Sequence, residues 1–293
     1  MRNKMSRRFL HHPPLELGIL VTGLALIAGS ALWLALNGDT GIRYSADHTG
    51  TVPMWHRWIP ALAGLVLIRL LQPKTTPVVG VPTGRGLHLQ AIVLLASAVL
   101  FAVTLWLSGG GEPIHTLLKL SFLLAVPALL FWLSRRNFTR QGHIHEDPAA
   151  WRHYGPIVPV VAWLTLTYTG PLAVPPSNYA ATVDPVTLLV TFAVVFVVNS
   201  LLEEVFYRRW LQTRWEHILG RWPAIVLASL LWAAWHVGIQ GTGHLPADLA
   251  SVFVNQGVQG LFLGYLWSRY RLMWPILVVH AAMNAAPILL GML

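Results

Sequence analysis

The sequence contains no cysteine, which removes disulfides and thiolate metal ligands and leaves no mark of the redox compartment. Charge is scarce as well. Asp, Glu, Lys and Arg together make up 11% of the 293 residues, against about a quarter in a soluble domain. That scarcity, with 55% hydrophobic residues, excludes an ordinary water-soluble domain and makes lipid the solvent for most of the surface. Acids are fewer than bases, giving a net charge of +9, but the distribution of the bases explains the excess without a nucleic-acid partner. No His-Glu-x-x-His helix, internal repeat or low-complexity tail is present.

What is present is a series of long apolar runs. They cover about 15–36, 55–71, 87–107, 117–133, 157–174, 186–207, 224–239, 249–267 and 272–290. A helix needs roughly 20 residues to cross the hydrocarbon. The second, fourth and seventh runs are short, so the sequence predicts an all-α polytopic protein with eight or nine spans. Leu, Ala and Val dominate the runs, which favours helices over the weak alternation of a barrel. The first run is about 22 residues long and ends at Leu36-Asn37-Gly38-Asp39, unlike a small-residue cleavage site, so a retained span is expected there.

Basic residues fall between these runs on one side. Arg2, Lys4, Arg7 and Arg8 precede the first run. Arg69, Lys74 and Arg85 follow the second, and Arg135, Arg136, Arg140 and Arg152 follow the fourth. Arg208, Arg209, Arg214 and Arg221 follow the sixth, with Arg269 and Arg271 after the eighth. In a nine-span arrangement 17 of the 20 bases share one side; Arg43 and Arg57 lie opposite, and Lys119 sits within the fourth run. Lys and Arg concentrate in cytoplasmic loops. A multi-pass cell-membrane protein with a cytoplasmic N-terminus is expected.

The sixth run ends in Glu203-Glu204-Val205-Phe206-Tyr207-Arg208. A charged carboxylate at mid-bilayer costs about 3 kcal/mol on insertion scales, so two adjacent ones need partners or a task. Glu204 and Arg208 are four apart and share a helix face, and their simplest reading is a buried ion pair. Glu203 shares its face with Asn199 and Tyr207 and has no cation at matching spacing. A carboxylate in a dry site suits general-base work. His236 ends its run with Trp232 on the same face, and His280 and Asn284 are four apart on the last. An imidazole and an amide so placed can donate two hydrogen bonds to one oxyanion. Each alone is as well explained as polar glue between helices. Gly260 and Gly264 form a small-xxx-small spacing read as close helix packing. Counted from the expected ends, Glu203 lies roughly 8 Å into its span and His236 roughly 21 Å into its own, a mismatch in depth.

Taken in order, Glu-Glu-x-x-x-Arg, aromatic-x-x-x-His and His-x-x-x-Asn resemble the CPBP family, which groups CAAX-prenyl endopeptidases with bacteriocin-processing and immunity (Abi) proteins. The resemblance covers about 186–287, a third of the chain, with Trp232 where the family usually has phenylalanine. It implies an intramembrane glutamic endopeptidase without cofactor or metal, acting on a polypeptide at the membrane. Glu203 would activate water with help from His236, His280 and Asn284 would hold the oxyanion, and Glu204 and Arg208 would orient the site. Residues 181–293 would form the catalytic core, and 1–180 carry no recognised motif.

Three other readings remain open in the sequence. Glu203, His236 and His280 are ligand types for zinc; the polar residues could tie an immunity or scaffold protein together; and buried acids and histidines also relay protons in transporters, although no inverted repeats are visible. The charge distribution itself is testable. Reporters fused after Arg140 and after Leu293 should report opposite compartments, the first cytoplasmic, and a shared compartment would require an even number of spans.

Overall fold

The structure, a computed structural model, describes residues 13–45, 50–73, 79–134, 140–141 and 150–293. The basic positions Arg2, Lys4, Arg7, Arg8, Lys74, Arg135 and Arg136 lie outside the described residues. Nine longer helices are present among the described residues: α1 (Pro13–Leu36), α2 (Met54–Leu71), α3 (Arg85–Leu107), α4 (Ile114–Ser134), α5 (Ile157–Tyr168), α6 (Pro185–Leu219), α7 (Arg221–Gln240), α8 (245–270) and α9 (Met273–Leu290). Two short two-stranded antiparallel sheets pair Gly41–Arg43 with Thr51–Pro53 and Val81–Pro82 with Arg140–Gln141. The protein is a polytopic all-α membrane protein.

Seven of the nine helices are long and apolar enough to cross a bilayer. One of the two others corrects the expected lengths. The short element is α5, not the second, fourth or seventh run: its 12 residues rise ~18 Å. It stops at Tyr168 because Thr169 is extended and Gly170, at φ 71°, precedes Pro171. In α8, Asn255, Gln256 and Gln259 are buried polar residues facing other helices rather than lipid.

The second correction concerns α6, expected to end near Tyr207. Its start is set by Asp184, whose carboxylate accepts from the Val186 and Thr187 amides at 3.0 and 3.1 Å. The Thr187 hydroxyl, followed by those amides, holds the Asp184 carboxyl below its ordinary range. The helix then runs past the apolar stretch to Leu219, where Gly220 at φ 78° takes the left-handed region and ends it.

Hydrogen bonds identify the two ends of the bundle. At one, Arg43 Nη1 donates to Gln240 O (3.1 Å), Tyr44 Oη to Pro175 O (3.3 Å) and Ser177 N to Pro287 O (2.7 Å). At the other, Trp151 Nε1 and Tyr270 Oη donate to Leu71 O at 2.7 and 3.0 Å, Arg221 Nε to Ser268 Oγ at 3.1 Å, and Arg271 pairs with Glu216. Among the described residues, the nine helices run between these two ends.

Leucine, valine and tryptophan side chains on α1–α6 point outward, among them Leu17, Leu32, Val66, Leu107, Leu133 and Val186, as a lipid-facing surface requires. The interior is aromatic: Phe101, Trp163, Phe206, Phe262 and Tyr270 are fully buried. The expected close packing at Gly260 and Gly264 is present. A Cβ on Gly260 would stand 2.8 Å from Ser229 Cβ on α7, and one on Gly264 would stand 2.9 Å from Ile225 Cγ2. Gly260→Val should therefore destabilise by about 1–3 kcal/mol, the usual cost of overpacking. Thermal melting of the detergent-purified variant checks it, and an unchanged melting point would mean that α7 and α8 do not touch there.

Candidate active site

The two carboxylates occupy a three-residue α-helical piece, Leu202–Glu204, between π-helical stretches Val195–Leu201 and Val205–Gln212. Such wide turns recur at functional sites, where they re-aim side chains that a regular helix would stack. Glu203 lies 16 residues from Leu219, ~24 Å along the axis, and His236 lies 15 residues from Arg221, ~22 Å. Because α6 extends to Leu219, the depth mismatch expected from the sequence disappears.

Glu203 is buried among three other helices. Oε1 accepts from Lys119 Nζ of α4 at 2.6 Å. Oε2 accepts from Trp232 Nε1 of α7 at 2.7 Å and stands 3.8 Å from His280 Nε2 of α9. Lys119 also donates to Asn199 Oδ1 at 2.7 Å and lies 4.5 Å from the Trp235 ring centroid. The sequence left Glu203 without a cation, and the structure corrects this: its counter-charge comes from a different helix. The signal was a lysine inside an apolar run, opposite a helix face carrying both Asn199 and Glu203.

Glu204 faces away from Glu203. Its Oε1 is 2.8 Å from His280 Nδ1, and its Oε2 is 3.4 Å from Arg208 Nε. The Arg208 guanidinium, fully buried, lies 5.3 Å from the Trp232 ring. His280 thus stands between the two acids. To donate through Nε2 while Nδ1 donates to Glu204, its ring must carry both protons. Asn284 Nδ2 donates to Ser200 Oγ at 3.1 Å. His236 Nδ1 is 2.9 Å from Trp232 O. A carbonyl oxygen only accepts, so Nδ1 carries the hydrogen and the Nε2 of a neutral ring is a proton acceptor. That ring is stacked on Trp235 with centroids 3.8 Å apart.

A cavity of about 430 Å³ connects these groups. Glu203, His236, His280 and Asn284 line it, as do Lys119 and Trp232, while Glu204 and Arg208 lie behind the wall. The lining continues to Tyr44, Gly110 and Glu112, at the bundle end shared with the α3–α4 connection. The site therefore combines an anionic oxygen, a neutral imidazole acceptor and amide and imidazole donors around a space that can hold a peptide group.

Residues 185–286 match the family described as Type II CAAX prenyl endopeptidase Rce1-like. This is the CAAX-protease group that the motifs resemble. No curated protein and no solved structure gives a match to the chain. The matched segment runs from α6 through most of α9 and includes Glu203, Glu204, Arg208, His236, His280 and Asn284; Lys119 lies outside it. A family of membrane endopeptidases supports a peptidase in general. Among the described residues, no three His, Cys, Asp or Glu side chains are grouped to hold a metal ion.

The Lys119–Glu203 pair generates a prediction independent of any activity. Removing one member of a buried pair strands the other charge, so Lys119→Met should cost about 3 kcal/mol. The double variant Lys119→Met/Glu203→Gln should lose far less than the sum of the two single losses. Chemical denaturation of purified protein measures this, and additive losses would show that the two charges do not interact.

Proposed function

We propose that the chain is an intramembrane endopeptidase of glutamic type, cleaving a membrane-associated or C-terminally tagged polypeptide. The observation that carries this reading is that Glu203, His236, His280 and Asn284, from three helices, line one cavity. A water in that cavity gives a proton to Glu203, with His236 Nε2 as the assisting acceptor, and its oxygen attacks the scissile carbonyl carbon. The carbonyl oxygen becomes an oxyanion that His280 and Asn284 stabilise by donating hydrogen bonds, an interaction stronger in the transition state than in the ground state. The proton held on Glu203 then passes to the leaving amine as the C–N bond breaks, and a new carboxylic acid and amine result. Glu204 and Arg208 act from behind, through His280 and Trp232. Enclosure among helices keeps bulk water from the reacting groups.

In this reading residues 181–293 form the catalytic core, and α4 reaches in from the preceding part of the chain with the counter-charge for Glu203. The basic end of the bundle, with the N-terminus, faces the cytoplasm. Neither cofactor nor metal takes part.

Glu203→Gln should lower turnover by about 10²–10⁴-fold while the protein still inserts and accumulates. Profiling the C-termini of membrane proteins from cells making wild type or Glu203→Gln should show a substrate that stays uncut only in the variant. The purified pair then gives the rate ratio. Near-normal cleavage by Glu203→Gln would overturn the assignment, and activity lost to phenanthroline and restored by zinc would move it to metal-dependent hydrolysis.

A further inference from the structure

Arg57, on α2, is buried at 5% exposure and lines the same cavity as Glu203. Its Nε donates to Asn255 Oδ1 at 3.1 Å, its one hydrogen bond from the side chain among the described residues. No carboxylate among them pairs with it. The contrast with its neighbours is plain: Lys119 faces Glu203, and Arg208 faces Glu204. A guanidinium offers five donors in a planar fork, and with Nε taken, the end carrying the two terminal nitrogens remains.

The surroundings hold this side chain in place. Asn255 donates through Nδ2 to Arg43 O at 2.8 Å, which fixes its amide so that Oδ1 faces Arg57. Gln259 Nε2 donates to the Arg57 carbonyl at 2.7 Å while its Oε1 accepts from Trp163 Nε1 at 3.0 Å. Both side-chain amides that hydrogen-bond Arg57 are thus oriented by a second partner. A purely structural arginine accounts for the bond to Asn255, but not for a buried cation that lines the cavity while no carboxylate among the described residues pairs with it. A buried charge is retained where it is paired or where a ligand supplies the pair.

We infer that Arg57 is an anion-binding subsite of the cavity that takes a carboxylate of the occupying polypeptide, two terminal nitrogens to two oxygens. This rests on the peptidase reading for the nature of the occupant. A planar carboxylate matches the fork in a bidentate way. The cavity has the size of a small-ligand site, so only a short piece of chain fits between Arg57 and Glu203. The carboxylate is then either the chain terminus or an Asp or Glu side chain a few residues beyond the scissile bond. In either case the charge sets which bond stands at Glu203.

Binding can be measured without turnover in the full-length Glu203→Gln protein in detergent. The probes are trileucine, acetyl-Leu-Glu-Leu-amide, trileucinamide and a short-chain phosphatidylglycerol, and the readouts are Kd and thermal shift. At least one of the two carboxylate peptides should bind about tenfold tighter than trileucinamide, and which one does identifies terminal or side-chain recognition. The preference should vanish in Arg57→Gln and persist in part in Arg57→Lys. Equal binding of acid and amide peptides, no peptide binding, or a preference unchanged in Arg57→Gln would overturn the subsite. So would binding of phosphatidylglycerol alone, which would make the anion a lipid phosphate. If Arg57→Gln fails to accumulate, Arg57→Lys decides: a weakened acid-to-amide preference is expected, and an undiminished one would overturn the subsite. Carboxylate preference in a protein without peptidase activity would retain the subsite and remove the peptidase; cleavage indifferent to the carboxylate would do the reverse.

Discussion

The Lys119–Glu203 ion pair is the constraint around which the interior is organised. Neither charge can be left alone in a lipid-facing bundle, and their contact at 2.6 Å ties α4 to α6. The same carboxylate draws in Trp232 from α7 and stands near His280 from α9, so four helices converge on one side chain. Apolar packing fills the rest of the bundle, but it is non-directional and would tolerate rotation of a helix about its axis. Hydrogen bonds to a single carboxylate do not. The register of four helices, and with it the shape of the cavity, follows from this contact.

The adjacent acids are set apart by what each faces. Glu203 opens on the cavity and is held by an ammonium and an indole. Glu204 turns to the opposite wall and is held by Arg208 and His280. Consecutive residues on an α-helix are about 100° apart, so the two carboxylates point to different walls. The π-helical stretches on either side widen the backbone and let Asn199, Ser200, Glu203, Tyr207 and Arg208 all turn inward. His280 alone touches both acids, which couples the visible half of the site to the hidden half.

Much of this was legible in the chain. The apolar runs gave the nine helices, and the spacing of Glu203, Glu204 and Arg208, then His236, then His280 and Asn284 marked the groups that converge. What could not be read were contacts between helices. Lys119 appeared as a stray charge because its partner is 84 residues away. The end of α6 was misplaced because the segment beyond Tyr207 is polar, and polarity was taken to mean the end of a helix rather than its emergence from lipid. The early end of α5 turns on Gly170 and Pro171, a local stop inside an otherwise continuous apolar run. Arg57 was counted only as a base on the wrong side, because charge tallies register a residue's sign and not what surrounds it.

The cavity lining reaches the α3–α4 end of the bundle, while the arginine-rich connections lie at the other. Under the proposed orientation, with the arginine-rich end in the cytoplasm, a polypeptide would enter from the far side of the membrane. A newly made chain would meet the site only after the relevant segment had been exported. Cleavage would then report on completed translocation: a precursor stalled at the ribosome-facing surface would stay whole, and geography would set the timing.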